Sequence, residues 1–449
     1  MTEFQPAAEA ASTAQHRAEP TTVGATLSKS ARTRALLGLG GGMTIEWYDF
    51  AIYGLMAAFI GPHFFPSDDP IAPTLSALIV FAIGFGARPL SALIFGPFAD
   101  TLGHKRVLLI SITLMSIGTL VIGIMPTYET LGIGAGIVLV ICRLIQGMSA
   151  GIEVPVATAA SMELAAPGAQ GRFAGFVMGS FSQFGVLLSS LIAFLSSLIL
   201  GADVMADWGW RVPFIIGGIL GLIVLVLRRS LPETGAEHNA ENATEQVSVG
   251  SVWRSVRSHW LSLLAIVFVV GGTQVGNYIW TAGLPNLAQS AYGEDPTAVF
   301  AIVTLLSVIL TVMGPIIGTI ADRTKGSTVF FWTRLLLIPT FFLTLLYASQ
   351  NIAVFAGVVL GGGVIVALNQ TLFPFIIATL MPALSRSTGI AIGYGFGVAL
   401  FGGTAPYLLL WFQQQGLSGA FQCYAAGLAA LSILFYFLAK KKNGLYIGR

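Results

Sequence analysis

Residues 41–54, GGMTIEWYDFAIYG, set two carboxylates, Glu46 and Asp49, inside a long apolar run. Three residues apart on a helix, they share one face. Ionisable groups at membrane depth are rare and mark ion, proton or substrate pathways. Two guanidiniums accompany them, because Arg88 and Arg143 fall inside other apolar runs of the first half of the chain. At ~1.5 Å of rise per residue, Arg143 lies roughly 18 Å and Arg88 roughly 22 Å into its run. Such groups can do two things. They can neutralise one another as structural ion pairs, as buried charges require. They can also exchange partners: an arginine grips a ligand carboxylate through paired hydrogen bonds, and the carboxylate it releases, desolvated and unpaired, takes a proton. Both uses stay open for Glu46 and Asp49, and Arg88 and Arg143 are the candidates for anion binding.

The second half offers neutral polar groups instead: Gln274, Asn277, Tyr278, Asn369, Gln370 and Tyr394. Amides facing lipid are unfavourable, so these are expected to face a cavity. Gln146 and Tyr53 complete the substrate-binding candidates. Arg334, early in its run, reads as interfacial. A quaternary amine would want an aromatic box, and Trp47, Tyr48, Tyr278 and Trp280 are the residues that could supply one. The anion is the preferred cargo, since burying two arginines without a use is unfavourable.

These side chains need elements to hold them. The chain of 449 residues is 55% hydrophobic and 9% charged, with a mean hydropathy of +0.82. A soluble domain carries about 25% charged residues, so this is a polytopic membrane protein. Apolar runs long enough for the roughly 20 residues a span needs fall near 34–60, 73–98, 105–126, 131–160, 171–199 and 211–229. A second set falls near 260–285, 297–321, 327–348, 351–380, 387–412 and 418–439. The expected organisation is a cytoplasmic tail over 1–33, a six-helix bundle over 34–229, a linker over 230–258, a second bundle over 259–439 and a tail over 440–449. Residues 1–33 lack the apolar core of a signal peptide. Trp253 and Trp260, flanking Arg254 and Arg257, predict a short interfacial helix ahead of the seventh span.

Basic residues set the orientation. Lys29, Lys105, Arg106, Arg172, Arg228, Arg229, Arg323, Arg386 and Lys440 to Lys442 fall on one side, and the opposite connections hold mostly Asp and Glu. Both termini are therefore expected in the cytoplasm. The halves also echo each other. Gly96-Pro-Phe-Ala-Asp100 matches Gly318-Thr-Ile-Ala-Asp322, 222 residues on, and Arg172-x-x-Gly175-x-x-x-Gly179 matches Arg386-x-x-Gly389-x-x-x-Gly393. Both copies sit on the same side, so the repeats are parallel, related by an axis along the membrane normal.

GPFADTLGHKR (96–106) and RLIQGMSAG (143–151) resemble motifs of the major facilitator superfamily. EWYDF (46–50), HFFP (63–66), ARPL (87–90), MELAAP (162–167), DWGWRVPF (207–214), LRRSLPET (227–234) and FGGTAP (401–406) resemble the metabolite:proton symporter family within it. That family includes carriers of alpha-ketoglutarate, citrate, shikimate and proline/betaine. Thr101 and His104 depart from its loop pattern, and Ile152 from its fourth-span pattern.

The resemblance implies an all-α fold of twelve transmembrane helices in two pseudo-symmetric bundles around a central cavity. It implies a proton-coupled symporter of the plasma membrane, not an enzyme. It implies a cytoplasmic gate built from Asp100, Lys105, Arg106, Glu153, Glu163, Arg172, Asp322, Arg323 and Arg386, although topology and solubility alone also explain loop charges. The expected cargo is a small organic acid moving with protons, with a zwitterion such as proline or betaine as the alternative. A channel would favour a charged ring, whereas these charges lie in one half. No GxxxxGK[ST] is present, so ATP is not the driver. No cofactor, metal or nucleic acid is expected, because the five histidines and the two cysteines, Cys142 and Cys423, form no ligand cluster. The protein is expected to be a monomer within the lipid bilayer.

Overall fold

The computed structural model describes residues 28–102, 104–164, 180–229, 249–322, 326–348 and 351–445. Their regular structure is helical throughout. The long helices are α1 Lys29–Leu55, α2 Ala72–Leu102, α3 His104–Ile124, α4 Ile133–Leu164, α5 Phe181–Leu200 and α6 Arg211–Arg228. They continue with α7 Trp260–Tyr278, α8 Pro296–Asp322, α9 Gly326–Tyr347, α10 Ile352–Thr379, α11 Arg386–Gly397 and α12 Ser418–Asn443. Among the described residues, 11 helical segments are long and apolar enough to cross a membrane. The first long helix, α1, stands apart from these because it carries the polar stretch around Glu46 and Asp49.

The helices are apolar on the outside as well as the inside, unlike those of a soluble protein. On α3, Ile110, Leu114 and Ile117 are exposed, while Ser111, Ser116 and Thr119 are buried. With lipid outside, apolar residues belong on the surface and small polar residues where helices meet. Ser111 and Ser116 lie on the α3 face toward its neighbours α4 and α6.

Two of the long helices are interrupted shortly ahead of prolines. After Tyr278 the chain makes a π turn over Ile279–Gly283 and resumes as Leu284–Ser290, with Pro285 at its start. After Gly397 it makes a second, over Val398–Gly402, and resumes as Ala405–Gln414, with Pro406 at its start. Proline lacks the donor for the preceding turn and crowds its carbonyl, and a widened turn absorbs both effects. By contrast, α2 runs without interruption through Pro89.

Within the first half, α1 packs on α5 and α6, α2 on α4, and α3 on α4 and α6. Within the second, α7 packs on α10, α11 and α12, α8 on α10, and α9 on α10 and α12. The halves meet where α5 lies along α8, where α2 lies along α11 and its continuation, and where α1 meets the π turn after α7.

Near the chain reversals after α1, α7 and α11 the meeting is sealed by polar bonds. Asn286 donates to the Gly54 carbonyl (2.6 Å) and accepts from the Ala58 amide (2.9 Å). The Thr74 and Ser290 hydroxyls pair at 3.1 Å, those of Ser197 and Thr297 at 2.8 Å, and Gln414 Nε2 donates to Asp69 at 2.6 Å.

Three expectations change. The first helix begins at Lys29, where the Ser28 hydroxyl accepts from the Ala31 amide, not at residue 34. Arg228 is not a loop charge, because it is fully buried. Arg334 is not interfacial: it is also buried, inside the second half. The short helix ahead of α7 is present as Val249–Ser258 with Trp253 exposed.

Candidate functional site

Two glycines on α4 bring the arginines together. A side chain at Gly147 would run into the Gly84 carbonyl of α2, and one at Gly151 into the Arg88 carbonyl and Ser91. Their absence lets α2 and α4 press together, so Arg88 and Arg143 converge opposite Glu46 and Asp49 of α1. Phe50, one residue past Asp49, stands between them. The Arg88 guanidinium lies 4.1 Å from the Phe50 ring and 4.7 Å from Phe85. That of Arg143 lies 4.6 Å from Phe50 and 4.3 Å from Tyr53. Aromatic faces attract cations most where water is excluded.

The two acid–base pairs are unlike each other. Asp49 and Arg143 are 2.8 Å apart. The second Asp49 oxygen accepts from Thr119 (2.6 Å) and from Gln146 Nε2 (2.7 Å). Gln146 in turn accepts from Arg143 at 2.9 Å and donates to Thr119 at 3.0 Å. Four side chains from three helices thus form a closed network, with Tyr53 beneath it donating to the Ala77 carbonyl (3.2 Å). Glu46 lies 3.4 Å from Arg88, yet neither of its oxygens has a hydrogen-bond partner, and Arg88 Nε has none either. Glu46 is fully buried and Arg88 is 6% exposed.

A third buried pair joins Glu153 of α4 to Arg228 of α6. Arg228 also donates to the carbonyls of Gly38 (2.9 Å) and Leu108 (3.0 Å), and Ser111 donates to Glu153 at 2.8 Å. The guanidinium occupies the space that a side chain at Gly42 would take. This explains why Arg228 leaves the surface while its neighbour Arg229 stays exposed: α1 has a gap and α4 has a counter-charge.

The second half approaches this cluster with aromatic and amide groups. The Tyr278 ring meets Phe81 at 5.8 Å and Phe85 at 4.9 Å, across the division between the halves. Its hydroxyl, both ends of Gln274 and Gln370 Oε1 are buried without a partner. Tyr394 stacks on Phe373 at 6.3 Å and is half-buried. Between the halves is a void of ≈ 10 Å³, bordered by Trp47, Phe50, Phe81, Asn277 and Tyr278 among others. That void has room for about one water.

Several residues point elsewhere. Asn369 donates to the Thr333 and Ile365 carbonyls (3.1 and 2.9 Å). The aromatic box does not assemble. Tyr48 is committed to the Pro213 carbonyl at 2.6 Å, and Trp280 to the Val359 carbonyl at 3.0 Å. Only Trp47 and Tyr278 of the four border the void. Arg334 donates to Thr273 (2.6 Å) and to the Val269 carbonyl (3.2 Å), and leaves Nε and Nη1 unpaired.

Of the gate residues, Arg106 is exposed, Lys105 is half-buried, and half-buried Arg386 donates to the Met381 carbonyl at 3.3 Å. The side chains of Asp100, Glu163 and Asp322, and the whole of Arg172 and Arg323, lie outside the described residues. No group of His, Cys, Asp and Glu that could hold a metal occurs among the described residues.

Sequence reasoning missed Thr119, Phe50 and Phe85 as members of the cluster. A threonine or phenylalanine in an apolar run carries no signal of its own. Phe50 beside Asp49 was visible, but only the fold shows that both arginines lie over it.

Known proteins resemble this chain in sequence and fold. A family model described as Major Facilitator Superfamily matches residues 39–406. The alpha-ketoglutarate permease of Escherichia coli (strain K12) is 30% identical over 421 residues, covering 92% of this chain and 94% of that one. A proline/betaine transporter of Salmonella typhimurium is 33% identical over 397 residues, covering 82% of this chain and 75% of that one. Among solved structures, a partially occluded inward-open conformation of the xylose transporter XylE from E. coli superposes with a TM-score of 0.74 at 16% identity. It covers 94% of this chain and all of that one (100%).

Proposed function

The chain belongs to the Major Facilitator Superfamily, a multi-pass family of membrane transporters, and from that premise we propose that it moves a small organic acid anion together with protons. It works by alternating access in the plasma membrane, with two six-helix bundles rocking about the buried cluster and both termini in the cytoplasm. The basic residues grouped on one side support that orientation. The polar bonds around Asn286 then close the outer end.

The observation that carries the reading is the pair of buried guanidiniums on Phe50, each facing a carboxylate of α1 beside a void bordered by both halves. Arginine forks suit carboxylates, and the local acids let a bound anion be exchanged for a proton-neutralised side chain. The faces of Phe50, Phe85 and Tyr53 are already covered by arginine, which leaves less aromatic surface for a quaternary amine. Trp47 and Tyr278 beside the void favour the second reading, a zwitterion of the proline or betaine type, as does the name of one relative.

Calorimetric binding to purified protein separates the two. A dicarboxylate such as alpha-ketoglutarate, a hydroxylated monocarboxylate and glycine betaine are titrated into wild type, Arg88→Lys and Arg143→Lys. The anion reading expects an acid to bind and at least one lysine variant to lose about tenfold or more, ~1.4 kcal/mol, because lysine keeps the charge and loses the fork. Binding of betaine alone, unchanged in both variants, would replace the anion reading by the zwitterion.

A further inference from the structure

We infer that Glu46 is the carboxylate that gains and loses the proton, and that Asp49 is a fixed anchor. The inference rests on the proton-symport reading and divides the labour within it. The ground is hydrogen bonding. Asp49 accepts from Arg143, Thr119 and Gln146. Protonating it would break a charge-assisted bond and leave Arg143 buried beside a neutral acid, with two further donors competing for what remains. Every partner is itself tied to another member of the network. Glu46 has none of these ties. Both of its oxygens are unbonded, and its one ion-pair partner stands at 3.4 Å, beyond the 2.7–2.9 Å of a strong charge-assisted contact.

Arg88 is the complementary half of the device. Its Nε has no partner, and it is the one of the pair that retains some exposure. It can therefore offer a fork to a cargo carboxylate without first giving up a network. In the exchange, Glu46 gains one proton from water, forming a single O–H bond, while Arg88 keeps its charge and turns to the cargo carboxylate. On release, that O–H bond breaks toward the other side of the membrane, and Glu46 and Arg88 pair again. The pair is neutral before loading, and the triad of carboxylic acid, guanidinium and carboxylate is neutral after it. A cargo with one carboxylate thus crosses with one proton and no net charge.

The charged and titratable groups near enough to act on Glu46 come from every side. They are Arg88 on α2, Glu153 on α4 with Arg228 on α6, Asp49 on its own helix, and Tyr278 and Tyr394 from α7 and α11. Glu153 and Arg228 offset each other as a bonded pair. Asp49 is likewise offset by Arg143, so Arg88 is left as the group whose movement decides the charge on Glu46.

The test needs no cargo. Infrared difference spectra of the purified full-length protein, titrated with acid and base, report a buried carboxylic acid by its carbonyl stretch. We expect a titrating band in wild type that is lost in Glu46→Gln, moved in Glu46→Asp, and kept in Asp49→Asn. Asp49→Asn is expected to melt at a lower temperature than Glu46→Gln, since it dismantles the bonded network. Should Asp49→Asn not fold, Asp49→Glu takes its place and must keep the band. Loss of the band in the Asp49 variant with its retention in Glu46→Gln and Glu46→Asp overturns the assignment, and so does a wild type with no titrating band. Failure of the symport reading would look different: the band would behave as expected while no acid was carried.

Discussion

Arg143 and Arg334 are equally hidden, at 0% and 1% exposure, yet only Arg143 has a carboxylate within reach among the described residues. Arg334 makes its bonds to Thr273 and the Val269 carbonyl, on the side of α7 toward α9 and α12 and away from the void. Burying a charge without a counter-charge is unfavourable, and an apolar side chain of similar volume removes that desolvation penalty. Arg334→Met is therefore expected to hold or raise the melting temperature of the purified protein and to leave cargo binding intact. A marked fall in both would assign Arg334 a partner in the working protein. Residue types were the most readable level of this sequence. A carboxylate or guanidinium inside an apolar run announces itself, and Glu46, Asp49, Arg88 and Arg143 all fall in the buried cluster. Their pairing was not readable. Whether Glu46 meets Arg88 or Arg143 depends on the rotation of α1 against α2 and α4, which is set by packing. Arg228 was misread for the same reason, because its pocket is an absence at Gly42 on another helix.

At the scale of elements, length and apolarity locate most helices within a few residues, while their irregularities come from local chemistry. The π turns that interrupt the helices after α7 and α11 lie ahead of Pro285 and Pro406, prolines plainly visible in the sequence. Proline alone did not predict them, since Pro89 sits in an uninterrupted α2. The α2–α4 contact is the element-level device on which the cluster depends. Adding one methyl in Gly147→Ala would press on the Gly84 carbonyl, and overpacking of this kind costs about 1–3 kcal/mol. The expected outcome is a lower melting temperature together with weaker acid binding, because separating α2 from α4 moves Arg88 away from Arg143. Thermal melting and calorimetry on one preparation check both. Full binding in a protein that melts early would mean that the spacing of the arginines does not matter to the site.

For the whole molecule, the long apolar runs and the family motifs pointed to an all-helical membrane fold, and the superposition on XylE bears out that major facilitator fold. What the sequence withheld is how the halves meet. Hydroxyl pairs such as Ser197 with Thr297, and the bridging amide of Asn286, belong to residue types common anywhere in a membrane helix. The central claim is one of coupling: cargo and proton cross because neither can leave the cluster charged alone. The most direct measurement reconstitutes the purified protein in liposomes under an imposed inward proton gradient. It follows labelled alpha-ketoglutarate, citrate, a hydroxylated monocarboxylate and glycine betaine together with external pH. The account predicts that at least one acid accumulates above equilibrium while the external medium turns alkaline in step with it, and that dissipating the gradient abolishes both. Acids that only equilibrate without moving protons, or accumulation of betaine alone, would contradict it.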